Sequence, residues 1–445
     1  MGSPVQPAAP SVSTVATGRA SLLVLGLAAF MVQADARVID PLLHVIAKDF
    51  HTMPAGAALV ISSYALPYGL FQLFYGPFGD RLGKLRIMAG CLALFALGTG
   101  ACAFVPSLPV FSVLRFLTGV AAASVIPMSI GYIGDTFAYE TRQIALARFM
   151  SALMMGQIAG STLGGLFGQY LGWRNVFLVF GAVSAVVAVL LARQSLRCPE
   201  TPRPRPIGPS MLAVPFGGTM IFLGVMGVGT PSMARGLEAL GVCLMVYALV
   251  TQYGTLLRRP LAPVVLGTVL VEGLFVFGGL AYLASSLTDR FAINYASAGL
   301  MVAGFGIGGL IYSASARVLV GRVGELGILL LGGTLLGIGF VGIGLMPTWH
   351  AFLPFVVVLG MGYYTMHGTL QTRATELAPE ARGTAVSLFA FFFFMGQATG
   401  PQVLGRILSS RGYGAAFTVA GLGLFMLAVV SRQVFARRVA SRRAA

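Results

Sequence analysis

The stretch Phe74–Met88, "FYGPFGDRLGKLRIM", places three glycines, a proline and four charged residues between two long apolar runs. The chain around it has 445 residues, of which 57% are hydrophobic and only 9% charged. Mean hydropathy is +0.87. Soluble domains carry about 25% charged residues, so this chain has too few to cover a water-facing surface. The apolar runs on either side of Phe74–Met88 approach the ~20 residues that cross a hydrocarbon core of about 30 Å. Backbone groups in lipid must be satisfied within their own segment, which selects helices. The ~10-residue alternation of a transmembrane barrel is absent from the sequence. Phe74–Met88 therefore reads as a short turn between two membrane helices, and the fold class is an all-α polytopic membrane protein.

Outward from this turn, apolar runs occupy 20–46, 56–79, 87–105, 108–134, 148–171 and 175–195. A Pro/Arg-rich linker follows. Two further runs lie at 211–229 and 236–257, and six more at 262–286, 293–316, 325–346, 351–372, 383–407 and 412–434. The division gives a disordered tail over 1–19, a six-helix half over 20–196 and a central segment over 197–261. A second six-helix half over 262–436 and a basic tail over 437–445 complete it. With each run crossing once there are fourteen spans. Twelve remain if the central pair does not cross, because removing a hairpin leaves every other loop on its side. Most of the 29 Lys and Arg residues then fall on one face, including Arg81, Lys84, Arg86, Arg258, Arg259 and Arg373. Cytoplasmic loops are enriched in these residues, so both termini are expected in the cytoplasm. The same scatter explains the net charge of +16 without nucleic acid, since no extended basic stripe exists. Cys91, Cys102, Cys198 and Cys243 show no metal or disulfide spacing and read as small apolar fillers.

The turn also has an echo. "GRVGELG", Gly321–Gly327, follows the second run of the last six. Arg322 and Gly324 match Arg81 and Gly83, with Gly321 where Asp80 stands. Two six-helix halves related as parallel repeats are one transporter architecture, with the substrate site between them at the midplane.

"GPFGDRLGKLRI" resembles the loop signature of the major facilitator superfamily. "RFLTGVAAASVIP", Arg115–Pro127, is similar to its helix 4 signature. "GQIAGSTLGG", with Gly156, Gly160, Gly164 and Gly165, resembles the helix 5 signature of the drug:proton antiporter branch. "GWRNVF" and "TRATELAPEARGTAVSL" are similar to later loops of bacterial efflux permeases. One departure stands out: that helix 5 signature has Gly-Pro where this chain has Gly160-Ser161, and Gly-Pro occurs instead at Gly400-Pro401. The resemblance implies the major facilitator fold and a gating loop of Gly76, Asp80, Arg81, Gly83 and Lys84 with Asp135 and Arg142. It implies that Asp80 latches the halves in an outward-open state and that Lys84 pairs with Asp135.

Charge inside a membrane costs roughly 2.5–3.5 kcal/mol per residue at a helix centre on insertion scales, so each instance is a functional candidate. The first run holds Gln33, Asp35, Arg37 and Asp40; helix 4 holds Arg115. Helices 1 and 4 both line the central cavity in the superfamily, so the resemblance lets Arg115 meet Asp35 or Asp40. Glu272 sits mid-run with no base within ten positions on its own helix. These five are the candidates for proton or substrate coupling; a static buried ion pair is the plain alternative. Gln33, Tyr64, Tyr68, Gln72, Tyr363 and His367 are candidate cavity residues. Phe391–Phe394 reads first as packing and second as a stacking platform.

The expected function is proton-coupled efflux of small amphipathic molecules or drugs by alternating access, not enzymatic catalysis. Neither a metal site nor an ATP-binding motif is legible, so no cofactor is expected and an ion gradient supplies the energy. Small-molecule substrate, protons and the lipid bilayer are the expected partners of a monomer in a bacterial inner membrane. Alternatives are an uptake symporter or facilitator for a specific solute, an anion if Arg37 and Arg115 act as counter-charges, or a lipid flippase.

Overall fold

The computed structural model describes residues 12–137, 139–197, 209–227, 230–378 and 382–444. Side chains are described for these except at 12–21, 76–77, 80, 139–143, 147, 211, 317, 382–384 and 438–444. All regular structure among the described residues is helical. In chain order the helices are α1 (Val12–Arg37), α2 (Ile39–Asp49), α3 (Pro54–Ala57), α4 (Leu59–Leu82), α5 (Lys84–Ala101), α6 (Leu108–Ala122) and α7 (Val125–Thr136). They continue with α8 (Tyr139–Leu166), α9 (Trp173–Arg197), α10 (Pro209–Val225) and α11 (Pro231–Leu257). The last set is α12 (Ala262–Phe291), α13 (Tyr295–Val323), α14 (Glu325–Leu345), α15 (Phe352–Leu377) and α16 (Arg382–Ala444). The last has two arms that turn at Gly412, with φ 81°.

One correction to the reading of the chain concerns its N-terminal end. Helix α1 begins at Val12, inside the stretch expected to be a disordered tail, and α16 runs to Ala444, through the basic tail. Ala and Arg, which dominate the C-terminal stretch, are good helix formers, which suits extension of α16. The span count also differs. Among the described residues, eleven helices are long and apolar enough to cross a membrane, or twelve if the bent pair α1/α2 is one span. The 53-residue segment Ala385–Arg437 enters that count once. Helix α10 has 17 residues, about 25 Å at 1.5 Å per residue. Length and composition therefore do not yield the fourteen spans counted from the sequence.

One bent helix and one interrupted helix shape the interior, and each has a proline at the break. Pro41 has no N–H for the Arg37 carbonyl, and the chain bends by 42° between Leu22–Arg37 and Ile39–Asp49. Pro127 likewise leaves the Ala123 carbonyl without its helical donor, and α6 gives way to α7 there.

The two halves repeat one packing device. A Cβ on Gly156 or Gly160 of α8 would lie 2.5 and 2.3 Å from the Phe30 and Ala34 carbonyl oxygens of α1. A Cβ on Gly396 or Gly400 of α16 would lie 2.0 and 2.2 Å from the Leu270 and Leu274 carbonyl oxygens of α12. Small residues let membrane helices approach this closely. Gly164 meets Val38 in the same way, whereas Gly165 meets Tyr295 and Gly299 of α13, across the halves. Ser161, in the place of the family's proline, lies within the uninterrupted helix α8. Gly160→Val is expected to force α1 from α8 and cost about 1–3 kcal/mol, the usual range for overpacking. A detergent melting curve measures this, and an unchanged midpoint would contradict the packing account.

Helices α10 and α11 pair with each other, and α10 lies against the first half. The Phe222 and Phe116 rings stack with centroids 4.0 Å apart, and Gly218 fits over Leu70.

Candidate functional site

Between the halves lies a cavity of about 470 Å³. Its walls come from α1, α4, α7 and α8 on one side and α12, α13, α15 and α16 on the other. Gln33, Tyr64, Tyr68, Gln72, Tyr363 and His367 all line it, as does Arg37. Asp35, Asp40, Arg115 and Glu272 stand behind the lining, each 2% exposed or less.

The charged groups are paired. Arg115 Nη1 donates to Asp35 Oδ2 at 2.5 Å, and its Nη2 reaches the Asp35 carbonyl oxygen at 3.3 Å. The guanidinium also lies 4.2 Å from the Tyr64 ring centre. Asp35 Oδ1 and Arg115 Nε have no hydrogen-bond partner. Arg115 therefore joins Asp35 rather than Asp40. Arg37 takes Asp40 instead, at 3.3 Å, and sits 4.2 Å over the Phe277 ring of the opposite half. A cation over an aromatic face in a desolvated setting gains up to about 2 kcal/mol.

The second half carries the counterpart. His367 Nδ1 and Glu272 Oε2 are 2.9 Å apart, so one proton lies between them with either group as donor. Glu272 is 0% exposed and its Oε1 has no partner. Asp35 and Arg115 lie on the first and fourth spans of their half; Glu272 and His367 lie on the first and fourth of theirs. The two acid–base pairs are thus repeat-related, but the base is a permanently charged guanidinium in one and a titratable imidazole in the other. The sequence reading placed His367 on the cavity and missed Glu272 as its partner, since 95 positions separate them.

Aromatic rings connect these elements. Tyr68 and Phe394 are 4.5 Å apart, Phe393 and His367 4.7 Å, and His367 and Tyr363 5.0 Å. Phe393 and Phe394 line the cavity, while Phe391 is buried outside its lining. Within the run Phe391–Phe394, packing and cavity roles are therefore divided. Phe277, Gln157 and Tyr312 also line the cavity and were not singled out in the sequence. Gln157 carried the same signal as Gln33, an amide in an apolar run, but was read only as part of the glycine signature. Its Oε1 accepts from the Tyr364 hydroxyl at 2.8 Å, joining the halves.

The gating-loop candidates lie at one end of the bundle. Gly83 has φ 95°, a left-handed conformation that glycine adopts without strain. Gly324, its match in the echo, has φ 71°. Lys84 Nζ meets Asp135 Oδ2 at 2.8 Å, and Arg81 is exposed. The second half reverses the signs: Glu325 stands where Lys84 does and meets Arg373 Nε at 2.7 Å. Gly76 and Asp80 on α4 and Arg142 on α8 have side chains outside the described residues, so the proposed Asp80 latch does too. The Lys84–Asp135 pair is half-exposed, and such pairs contribute about 0–1 kcal/mol. Lys84→Glu or Asp135→Lys alone should change transport by no more than about fivefold, with partial recovery in the double exchange. Transport rates of the four variants measure this; a hundredfold loss in either single variant would show a larger role.

At the other end the halves touch. Tyr295 N donates to Gln169 Oε1 at 3.1 Å, and His44 Nδ1 lies 2.9 Å from Asp289 Oδ1. A Cβ on Gly299 would lie 2.5 Å from the Ser161 carbonyl oxygen. Cavity-lining residues Met150, Ala316 and Gln371 extend toward the end bearing Lys84 and Glu325.

The family model of the Major Facilitator Superfamily matches residues 25–401 and again 269–444. The chain is 24% identical over 415 residues to the uncharacterized MFS-type transporter YceJ of Bacillus subtilis, covering 92% of this chain and 94% of that one. It is 26% identical over 408 residues to the multidrug resistance protein Stp of Mycobacterium tuberculosis, covering 88% and 76%. It is 25% identical over 420 residues to the tetracenomycin C resistance and export protein of Streptomyces glaucescens, again covering 88% and 76%. With its family match running nearly end to end over a bundle of membrane-length helices, the chain belongs to the Major Facilitator Superfamily and is a multi-pass membrane transporter rather than an enzyme.

Proposed function

We propose that the protein exports small amphipathic molecules across a bacterial inner membrane in exchange for protons, with both termini in the cytoplasm. The observation that carries this reading is the Glu272–His367 pair. Among the described residues it is the one acid–base pair in the cavity wall whose two members can each take or give a proton, and it sits where a bound molecule would touch His367. Ionisable residues at membrane depth commonly mark proton relays. Export is supported by relatives named for multidrug resistance and for resistance and export.

In the proposed cycle, the cavity binds its molecule from the basic end while the α8–α13 and α2–α12 contacts close the other. The halves then rock, that closure opens, and the molecule leaves. A proton taken by the Glu272–His367 pair from outside returns the carrier. Arg115–Asp35 keeps its charges paired throughout and holds α1 to α6. The expected resting state is a monomer.

The test begins with a growth screen of expressing and non-expressing cells against a compound panel. A compound that separates them is then added to proteoliposomes with a pH-sensitive dye on the side opposite to the substrate. Proton movement against the direction of substrate flux is expected. Flux with no proton movement would overturn exchange, and co-directional movement would replace export with symport.

A further inference from the structure

We infer that the cavity selects flat aromatic molecules that are neutral or anionic and excludes lipophilic cations. The inference rests on the cavity being the substrate site, but not on proton coupling.

Shape comes first. The rings of Tyr64, Tyr68, Phe394, Phe393, His367 and Tyr363 form a chain of neighbours, with successive centroids 4.5–5.8 Å apart. The chain starts on α4 and ends on α15, so it crosses from one half to the other. Offset and tilted aromatic pairs at such spacings are favourable beyond area burial. Successive rings are tilted by 27–76° to one another, so an aromatic molecule in the cavity meets faces and edges in turn, and a flat one can slot against several of them. A volume of about 470 Å³ falls within the 300–1,000 Å³ typical of small-molecule sites.

Charge comes second. Every carboxylate near the cavity is held behind its base. Asp35, Asp40 and Glu272 are 0–2% exposed, and among the described residues no Asp or Glu lines the cavity. The charged or chargeable groups in the lining are Arg37 and His367. Arg37 gives one donor to Asp40 at 3.3 Å, and its guanidinium has five N–H donors in all. A bound anion can therefore take the remaining donors. A bound cation would gain from the aromatic faces, but it would also meet a guanidinium and an imidazole and find no accessible carboxylate among the described residues. Such a mismatch discriminates as strongly as an attraction does. Neutral molecules with acceptor groups are served by the amides of Gln33, Gln72 and Gln397, which also line the cavity.

The test uses the full-length protein in nanodiscs and three probes that share one ring system. They are anthraquinone-2-carboxylate, 2-(hydroxymethyl)anthraquinone and the 2-(trimethylammoniomethyl) derivative. Binding is measured by equilibrium dialysis at pH 7 with no gradient. The carboxylate and the alcohol are expected to bind at least tenfold more tightly than the ammonium probe. Arg37→Gln should weaken the carboxylate about tenfold and leave the alcohol within twofold, and Arg37→Lys should restore most of the loss. A melting curve for each variant confirms that it is folded. Equal affinity for the ammonium and carboxylate probes would overturn the inference. So would absence of binding by all three probes from a protein that moves another compound, and proton exchange would then still stand. Conversely, the expected order of affinities with no proton movement would refute exchange and keep this inference.

Discussion

Arg115→Met should destabilise the protein more than any other single change at the cavity. The substitution leaves Asp35, 0% exposed, without the guanidinium that binds it at 2.5 Å. Removing one partner of a buried pair typically costs about 3–5 kcal/mol, because the other charge is stranded. Asp35 would lose both its ionic partner and the bond from Nη2 to its carbonyl. Tyr64 would lose the cation over its ring as well. Loss of folded yield and a melting temperature lower by roughly 3–5 °C are expected. The double change Arg115→Met with Asp35→Asn removes both charges and should recover a large part of the loss. Recovery of this kind is the usual finding when a whole buried pair is replaced. A single variant that melts within about 2 °C of the parent would show that Asp35 does not need Arg115. It would also remove the basis for treating the pair as a fixed brace between α1 and α6.

The fate of that pair shows which parts of the site the sequence could express. Charge in an apolar run is costly, so Asp35, Arg37, Asp40, Arg115 and Glu272 declared themselves one by one. Their partnerships are a matter of three-dimensional register. Arg115 could have reached Asp35 or Asp40, and the folded chain gives each acid its own arginine. Glu272 read as isolated because its partner arrives from another helix 95 positions later. The fold itself was more legible, since the turn Phe74–Met88, its echo at Gly321–Gly327 and the glycines of "GQIAG" and "GQATG" each recur at equivalent places. Local steric needs of that kind survive in sequence: a left-handed turn wants glycine, and a close helix crossing excludes a Cβ. Aromatic lining does not leave such a mark. Phe277 and Tyr312 resemble any packing residue until the opposite half is in place.

Glu272→Gln should abolish concentrative transport while leaving exchange. Glutamine keeps the shape of the side chain and can still bond to His367 Nδ1, so the 2.9 Å contact and the aromatic rings around it are preserved. What it cannot do is bind and release a proton. If one proton crosses for each molecule exported, a pH difference of one unit is worth about 1.4 kcal/mol and sustains roughly a tenfold concentration ratio. The variant should build no ratio in proteoliposomes under an imposed pH difference. It should still equilibrate substrate, and still exchange labelled for unlabelled compound, at a rate within a few-fold of the parent. His367→Asn is expected to sit between the two, because Glu272 remains titratable but loses the group that shares its proton. Asp35→Asn tests the same idea from the other half. Asp35 faces a permanent cation and is 0% exposed, so its loss should act through stability and leave the stoichiometry of surviving molecules intact. If Glu272→Gln still drives uphill transport in response to pH, the proton travels elsewhere. The repeat-related contrast between a guanidinium and an imidazole would then be a difference in packing alone.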